Sequence, residues 1–318
     1  MPAITSGKVL VSGANGYIAA WVVRTLFGAW VFGTGCSGGV QEGAFDDVVK
    51  GVDAIEHIAS PFHFQADDPA ELLEPAIKGT VGILESARKY GTSVKRVVIT
   101  SSCAAIANVS TAPQVLSEVD WSVQAEQEVE EKGRAASNGA KYRAAKTLAE
   151  RAAWNFAEKH KGEIGWDVSV MNPPLVVGPV IHAVSSPQAL NTSARMMYDA
   201  FTKPGAAAGG GSWVDVRDLA LAHVRALEKE AAGGERIIIS AGCFAWQDWL
   251  DAAPLSSKYQ KGTPGAGKDA VHLLRYQNDK SIRILGMEYR SMADTAAAAI
   301  ADYETRGVVN IEWRPTRK

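Results

Sequence analysis

The sequence is poor in cysteine, has no long apolar run and carries no excess of either charge. Its three cysteines, Cys36, Cys103 and Cys243, form no CxxC pair and are too scattered for a disulfide framework, so free thiols in a reducing compartment are expected. No stretch reaches the roughly 18 uninterrupted apolar residues of a membrane span, and residues 1–7 show no signal-peptide pattern. These absences predict a cytoplasmic protein with no membrane partner.

The charges of the two signs nearly cancel. Lys plus Arg number 33 against 35 Asp plus Glu, and no basic run is interleaved with aromatic residues, which excludes the electrostatic footprint of a nucleic-acid binder. His57 and His63 lack the spacing of zinc ligands, so no metal site is expected. With 47% hydrophobic residues among 318, the chain is an ordinary globular protein of one large or two medium domains.

Short apolar, β-branched runs alternate with longer segments of helical periodicity. This alternation predicts an α/β fold, a doubly wound parallel sheet of the Rossmann type. Of two low-complexity patches, we expect residues 206–211 to form a loop and residues 296–299 a helix. The predicted strands are 8–12, 29–33, 53–58, 96–100, 166–171 and 235–240, and the predicted helices are 16–27, 71–90 and 139–160.

One strand-helix unit is shorter than this fold usually requires. Only residues 28–52 separate the first helix from the third predicted strand, whereas a strand-helix-strand unit usually takes about 30 residues or more. We therefore expect one strand to be missing. The remaining chain is predicted to divide into a dinucleotide-binding domain, residues 1–172 and 212–240, and a smaller C-terminal substrate lobe, residues 173–211 and 241–318.

A glycine turn lies between the first strand and the first helix. In Gly13-Ala14-Asn15-Gly16, small residues let backbone N–H groups approach a pyrophosphate, although glycine also tightens such loops for packing alone. About 20 residues later, an acidic or basic residue usually reads the adenosine ribose. Residues 32–39 contain neither, so the sequence does not choose between NAD and NADP.

A phenol and an ammonium occur one helical turn apart at Tyr142 and Lys146. A nearby cation favours phenolate and is expected to lower the tyrosine pKa, so that the phenol can protonate a developing alkoxide. Ser101 or Ser102, at the carboxyl end of a predicted strand, can hold the carbonyl oxygen. A second YxxxK match, Tyr276 to Lys280, contains Asn-Asp turn residues and no serine-tipped strand precedes it, so it is interpreted as structural.

Together these motifs resemble the extended short-chain dehydrogenase/reductases, in particular the dihydroflavonol reductase-like group and the fungal ketone and methylglyoxal reductases. The family carries a basic residue for the NADP 2′-phosphate and a third strand, and this sequence departs from both patterns. The matching segments are VSGANGYIA (11–19), ASPF (59–62), VITSS (98–102), YRAAK (142–146), NPP (172–174) and WVDVRD (213–218).

The resemblance implies a role for each matching residue. Tyr142 is implied as general acid, Lys146 as its pKa-lowering partner and ribose ligand, and Ser102 as the carbonyl-orienting donor, with Ser101 as second choice. The implied cofactor is NADP, with NAD possible. The residues implied to line it are Gly13, Asn15, Gly16, Tyr17, Ile18, Ala19, Ala59, Ser60, Pro61, Tyr142, Lys146, Pro173 and Val176.

The expected function is reduction of a small or aromatic ketone or aldehyde by a monomer or homodimer. The loop around residues 203–211 and the segment before residue 261 are shorter than in the family, so the substrate itself is not predicted. Two alternatives remain open. One is a non-catalytic homologue with impaired cofactor binding, and the other is an epimerase or hydroxysteroid dehydrogenase that uses the same triad.

Overall fold

A computed structural model describes residues 4–26, 32–33, 41–60, 66–206, 208–254, 256 and 259–306, with residues 32–33 described by their backbone alone. The strands are β1 (Val9–Ser12), β2 (Phe32–Gly33), β3 (Ala54–His57), β4 (Arg96–Thr100), β5 (Gln114–Leu116), β6 (Asp167–Asn172), β7 (Leu175–Val177), β8 (Gly210–Asp215), β9 (Arg236–Ile238), β10 (Gly242–Ala245) and β11 (Leu274–Tyr276). The helices are α1 (Tyr17–Leu26), α2 (Ala70–Tyr90), α3 (Val123–Lys132), α4 (Asn138–Lys159), α5 (Thr192–Thr202), α6 (Val216–Glu228), α7 (Trp246–Ala252) and α8 (Met292–Thr305).

The central sheet has six strands in the order β2-β1-β3-β4-β6-β9, and every neighbouring pair is parallel. Each of the six predicted strands is present, so the predicted doubly wound Rossmann sheet is confirmed. In this order β2 lies on one side of β1 and β3 lies on the other. The carboxyl ends of β1 and β3 therefore flank the switch point at which such sheets bind ligands.

Helices cover both faces of this sheet. Val9 and Val11 of β1 pack with α1 and α6, whereas Leu10, between them, packs with α2 and α4 on the other face. Successive strand side chains point to opposite faces, so β1 contributes to two cores. Strands buried on both faces are rich in apolar residues, so short apolar, β-branched runs mark most of these strands in the sequence, although Glu56, His57 and Arg96 are buried polar residues.

The expected shortening of the sheet is found at β2. This two-residue strand pairs with β1 through Leu10 and Phe32, and within the described residues no further strand lies beyond it. Residues 41–51 form turns, from which Phe45 and Val49 are buried in the core beneath α2. Residues 34–40, where the family carries its basic contact to NADP, lie outside the described residues.

A second, mixed sheet is formed by β7, β8 and β10. β7 pairs parallel with β8, and β8 pairs antiparallel with β10, over an aromatic core that includes Trp213 and Trp249, 4.7 Å apart. The prediction of a loop over 206–211 is wrong at its end, because Gly210 and Gly211 belong to β8. A side chain at Gly210 would collide with the Phe244 carbonyl oxygen at 2.1 Å, so glycine permits this pairing.

The predicted helix over 296–299 is confirmed within α8. In the part of the chain that the structure describes, no helix is both long and apolar enough to cross a lipid bilayer.

Candidate active site

The glycine turn after β1 is shaped by close contact with the end of β3. Gly13 has a φ of 71°, and a methyl group on it would lie 3.1 Å from the Ala59 Cα. Ser12 joins the same two strand ends, because its Oγ accepts hydrogen bonds from the backbone N–H of Ile58 at 3.0 Å and of Ala59 at 3.1 Å. The turn thus leaves its own backbone open above the sheet.

A neutral histidine supports this turn. Because Ser12 Oγ already accepts two N–H groups, its own proton is directed to His57 Nδ1, 3.0 Å away. The ring proton of His57 is then on Nε2. Burial, and secondarily the charge of Lys146, lower the pKa of His57 to about 4, so the ring is uncharged at neutral pH.

Tyr142 and Lys146 lie one turn apart near the start of α4. The helix begins after Ser137, whose Oγ accepts a hydrogen bond from the Ala140 N–H at 3.1 Å, an N-cap of the usual kind. Lys146 is 8% exposed, and its Nζ donates to Ser60 Oγ at 2.9 Å. Ser60 follows β3, so the ammonium connects α4 to the edge of the sheet that carries the glycine turn.

Ser102 completes the triad from the end of β4. Its hydroxyl is hydrogen-bonded to the Tyr142 phenol, and its Oγ accepts from the Ala104 N–H at 3.1 Å. The structure therefore brings Ser102, Tyr142 and Lys146 to the carboxyl edge of the parallel sheet, as the sequence predicts.

The direction predicted for the tyrosine pKa is wrong. Burial raises the pKa of Tyr142 to about 12, against the lowering effect of its hydrogen bond to Ser102. Burial also lowers the pKa of Lys146 to about 8, against the opposing charge of Glu150. Desolvation disfavours the charged form of each group and is the largest influence on the Tyr142 phenol. At pH 7 the phenol is protonated and Lys146 is mostly ammonium.

Ser101 points into a buried polar network. Its Oγ donates to Glu150 Oε2 at 2.5 Å, and the same oxygen accepts from Asn172 Nδ2 at 2.8 Å. The geometry thus favours Ser102 over Ser101 as the carbonyl-orienting hydroxyl. Glu150 was missed in the sequence, although Tyr142, Lys146 and Glu150 recur every four residues on one helix face, a spacing that signals a shared environment.

The other residues implied to line the cofactor are spread between the turn and the protein interior. Asn15 is exposed, and Gly16 donates its N–H to the Gly13 carbonyl at 2.8 Å. The Tyr17 side chain is buried and donates to the Gly178 carbonyl at 3.0 Å, so only its backbone faces the turn. Ala19 and Val176 pack in the hydrophobic core.

Three residues of that set remain, Ile18 in α1, Pro173 after β6 and Pro61. Ile18 is partly buried against the core, and Pro173 accepts the Cys103 N–H at 2.9 Å. Pro61 lies outside the described residues.

The sites interpreted as structural carry ordinary contacts. Tyr276 ends β11 and packs near Cys103, while Lys280 pairs with Glu235 at 2.8 Å. Among the described residues no group of three potential metal ligands occurs. Glu56 instead pairs with His223 at 2.6 Å.

Comparison of the sequence with known protein families identifies the family of this chain. Residues 9–242 match the NAD dependent epimerase/dehydratase family. The chain belongs to this family. Within it, the chain is 36% identical over 275 residues to ketoreductase azaE of Aspergillus niger, covering 82% of this chain and 78% of the relative. It is 33% identical over 349 residues to a putative NADPH-dependent methylglyoxal reductase of Candida albicans, covering 93% and 99%.

A solved structure extends the likeness to three dimensions. The chain superposes on yeast methylglyoxal/isovaleraldehyde reductase Gre2 complexed with NADPH with a TM-score of 0.83 and 28% identity, covering 94% of this chain and 99% of that chain. The resemblance to the extended reductases, the fungal ketone and methylglyoxal reductases among them, is confirmed by these family members.

Proposed function

We propose that this protein is an NADPH-dependent reductase of small or aromatic ketones and aldehydes. The observation that carries the proposal is the grouping of Ser102, Tyr142 and Lys146 beside the glycine turn at one edge of the sheet. The ketoreductase and methylglyoxal reductase relatives support the reaction class, and the NADPH-bound yeast reductase supports the cofactor.

A bound NADPH would supply the hydride for the carbonyl carbon. The Ser102 hydroxyl donates a hydrogen bond to the carbonyl oxygen, and the Tyr142 phenol gives that oxygen its proton, so that the carbonyl compound leaves as an alcohol. Because the pKa of Tyr142 is about 12, the phenol holds its proton at neutral pH until the carbonyl oxygen becomes strongly basic. This protonation state suits reduction rather than oxidation.

The residues at the turn fit a dinucleotide. Gly13 removes the side chain that would fill the space against Ala59, and the first N–H groups of α1 face the same space and favour an anionic group. Lys146 and Ser60 would hold the nicotinamide ribose. The remaining residues proposed to line the cofactor are Asn15, Gly16, Tyr17, Ile18, Pro61, Tyr142, Pro173 and Val176.

The first test combines binding with turnover. NADPH and NADH are titrated by fluorescence into protein that unfolds cooperatively, and oxidation of the bound cofactor is then followed with a panel of ketones and aldehydes. Tyr142→Phe is expected to bind NADPH normally and to lower kcat by at least about a thousandfold, because the proton donor is lost. Wild-type turnover by Tyr142→Phe would contradict the proposal.

A matched pair of variants separates the two serines. Ser102→Ala is expected to lower kcat/KM by about 10² to 10³, while Ser101→Ala, which removes a hydrogen bond to Glu150, changes mainly the stability. The reverse order would assign the carbonyl contact to Ser101.

Two other outcomes would redirect the assignment. Folded protein that binds neither dinucleotide would favour a homologue with impaired cofactor binding. Binding of cofactor without carbonyl turnover, together with activity on a nucleotide sugar or hydroxysteroid, would favour the epimerase or hydroxysteroid dehydrogenase alternative.

We further propose a cytoplasmic monomer or homodimer, with a dinucleotide-binding domain of residues 1–172 and 212–240 and a substrate lobe of residues 173–211 and 241–318. Sedimentation equilibrium tests the oligomeric state, and limited proteolysis tests the division.

A further inference from the structure

Glu150 lies one turn beyond Lys146 on α4 and is 1% exposed. Its carboxylate accepts hydrogen bonds from groups at the ends of three different strands. Oε2 accepts from Ser101 after β4 and from Asn172 of β6, and Oε1 accepts from Arg236 Nε of β9 at 2.5 Å.

This arrangement fixes the backbone that carries Ser102. Asn172 donates to the Ser102 carbonyl at 3.3 Å as well as to Glu150, and Ser101 directly precedes Ser102. Glu150 therefore holds both neighbours of the Ser102 peptide. A shift of this carboxylate would move the Ser102 hydroxyl relative to Tyr142.

The same carboxylate faces the catalytic ammonium. Glu150 and Lys146 line one small cavity with His57, Ser60 and Ser101, and they lie on the same face of α4. A buried ammonium needs an opposing charge or good hydrogen bonds to remain protonated. Ser60 supplies one hydrogen bond, and the carboxylate supplies the charge.

The other titratable groups around the pair do not provide that charge. His57 faces Lys146 from β3 and is neutral at pH 7, since its pKa is about 4. Arg236 faces Glu150 from β9 and is itself a cation. The Cys103 thiol, after β4, stays protonated because burial raises its pKa.

We propose that Glu150 is a positioning residue of the active site, which keeps Lys146 protonated and fixes the Ser101–Ser102 and Asn172 backbone around the carbonyl-binding hydroxyl. The inference rests on the function proposed above, since it assigns Glu150 a role toward Lys146 and Ser102. A merely structural carboxylate would stabilise the fold without altering the titration of Lys146.

The decisive measurement is the pKa of Lys146 in cofactor-free protein, followed by NMR of ¹⁵N-lysine-labelled protein and assigned with Lys146→Arg. Glu150→Gln is expected to lower this pKa by about one pH unit or more, because an opposing charge is removed. At pH 7.5, a fall from about 8 to about 7 reduces the protonated fraction about threefold. The fall in NADPH affinity at alkaline pH should then begin about one pH unit lower.

Three variants control for stability. Ser101→Ala removes a hydrogen bond to Glu150 without removing a charge, so it should lower Tm and leave the Lys146 pKa unchanged. Glu150→Asp retains the charge and should restore most of the wild-type pKa while kcat/KM stays reduced. If Glu150→Gln does not fold, Glu150→Gln/Arg236→Met removes both charges of the buried pair, a change that folds more readily. Its Lys146 pKa is then compared with that of Arg236→Met, which keeps the carboxylate, and it should be the lower of the two.

An unchanged Lys146 pKa in folded Glu150→Gln would overturn the inference, even if Tm falls. This outcome is distinct from failure of the proposed function, because the NMR titration needs neither cofactor nor turnover. If the wild-type protein shows no carbonyl reductase activity, the proposed function is wrong, but the Lys146 titration can still be interpreted by itself.

Discussion

Lys146→Met is expected to stabilise the folded protein while it removes activity. Burial lowers the pKa of Lys146 from 10.5 to about 8, and each pH unit corresponds to about 1.4 kcal/mol, so keeping the ammonium charged in the folded state at pH 7 costs about 3 kcal/mol. The variant also loses the hydrogen bond to Ser60, worth about 1 kcal/mol. The net expectation is an increase of about 2 kcal/mol in the free energy of unfolding.

The stability gain of Lys146→Met should decrease as the pH rises. Between pH 8 and 10.5 the unfolded chain binds more protons at Lys146 than the folded chain does, so the stability of the wild type rises with pH across that window. Lys146→Met lacks this contribution. The two stability curves should therefore lie about 2 kcal/mol apart at pH 7 and approach each other, then cross, by about pH 10.

Urea unfolding from pH 6 to pH 10 measures both quantities. Lys141→Met is the matched control, since Lys141 is also buried on α4 but donates to three carbonyls, those of Ala66, Asp67 and Arg134, at 3.0, 2.7 and 2.9 Å. Losing these bonds should destabilise the fold by about 2 kcal/mol or more. A Lys146→Met protein less stable than the wild type at pH 7 would refute the reasoning.

Three further changes test other parts of the structure. Gly13→Ala places a side chain at a φ of 71° and 3.1 Å from Ala59. Calorimetry should show that the free energy of unfolding falls by about 1–2 kcal/mol, and NADPH should bind at least about tenfold more weakly. The control Gly82→Ala, whose nearest neighbour is at 4.0 Å, should be neutral or stabilising. The pKa of His57 is depressed to about 4, so its contribution to stability should be lost as pH falls from 6.5 toward 4, and NMR should show no titration of this ring above about pH 5.5. Arg96→Met removes the two hydrogen bonds that the buried Arg96 donates to Asp167 at 2.6 and 2.9 Å and should cost about 3–5 kcal/mol in urea unfolding.

The sequence predicted the elements whose formation depends on local pattern. Short apolar runs mark most strands of the sheet because both of its faces are buried, and α2 shows apolar residues at helical spacing. The start of β8 at Gly210 was missed because glycine has low strand propensity, and only its partner strand β10 determines the pairing. The division into domains remains a prediction.

The environment of the site could not be predicted in the same way. Ser101, Asn172 and Arg236 converge on Glu150 although they are far apart in sequence, so their contact depends on the order of β4, β6 and β9 in the sheet. The pKa of Tyr142 depends on how much water its phenol loses, which spacing along a helix does not report. The expected lowering by Lys146 was therefore reversed.

Burial acts on both titratable members of the triad in the same sense, toward the neutral form. For Tyr142 this retains the proton that the carbonyl oxygen must receive, and the hydrogen bond from Ser102 limits the rise of its pKa. For Lys146 the same desolvation lowers the pKa of the ammonium, and the charge of Glu150 raises it. Each group thus has one specific partner that offsets part of the desolvation. A site that excludes water strengthens its electrostatic interactions. Desolvation thus helps Tyr142 to keep its proton, whereas Lys146 keeps its proton against desolvation with the help of the Glu150 charge.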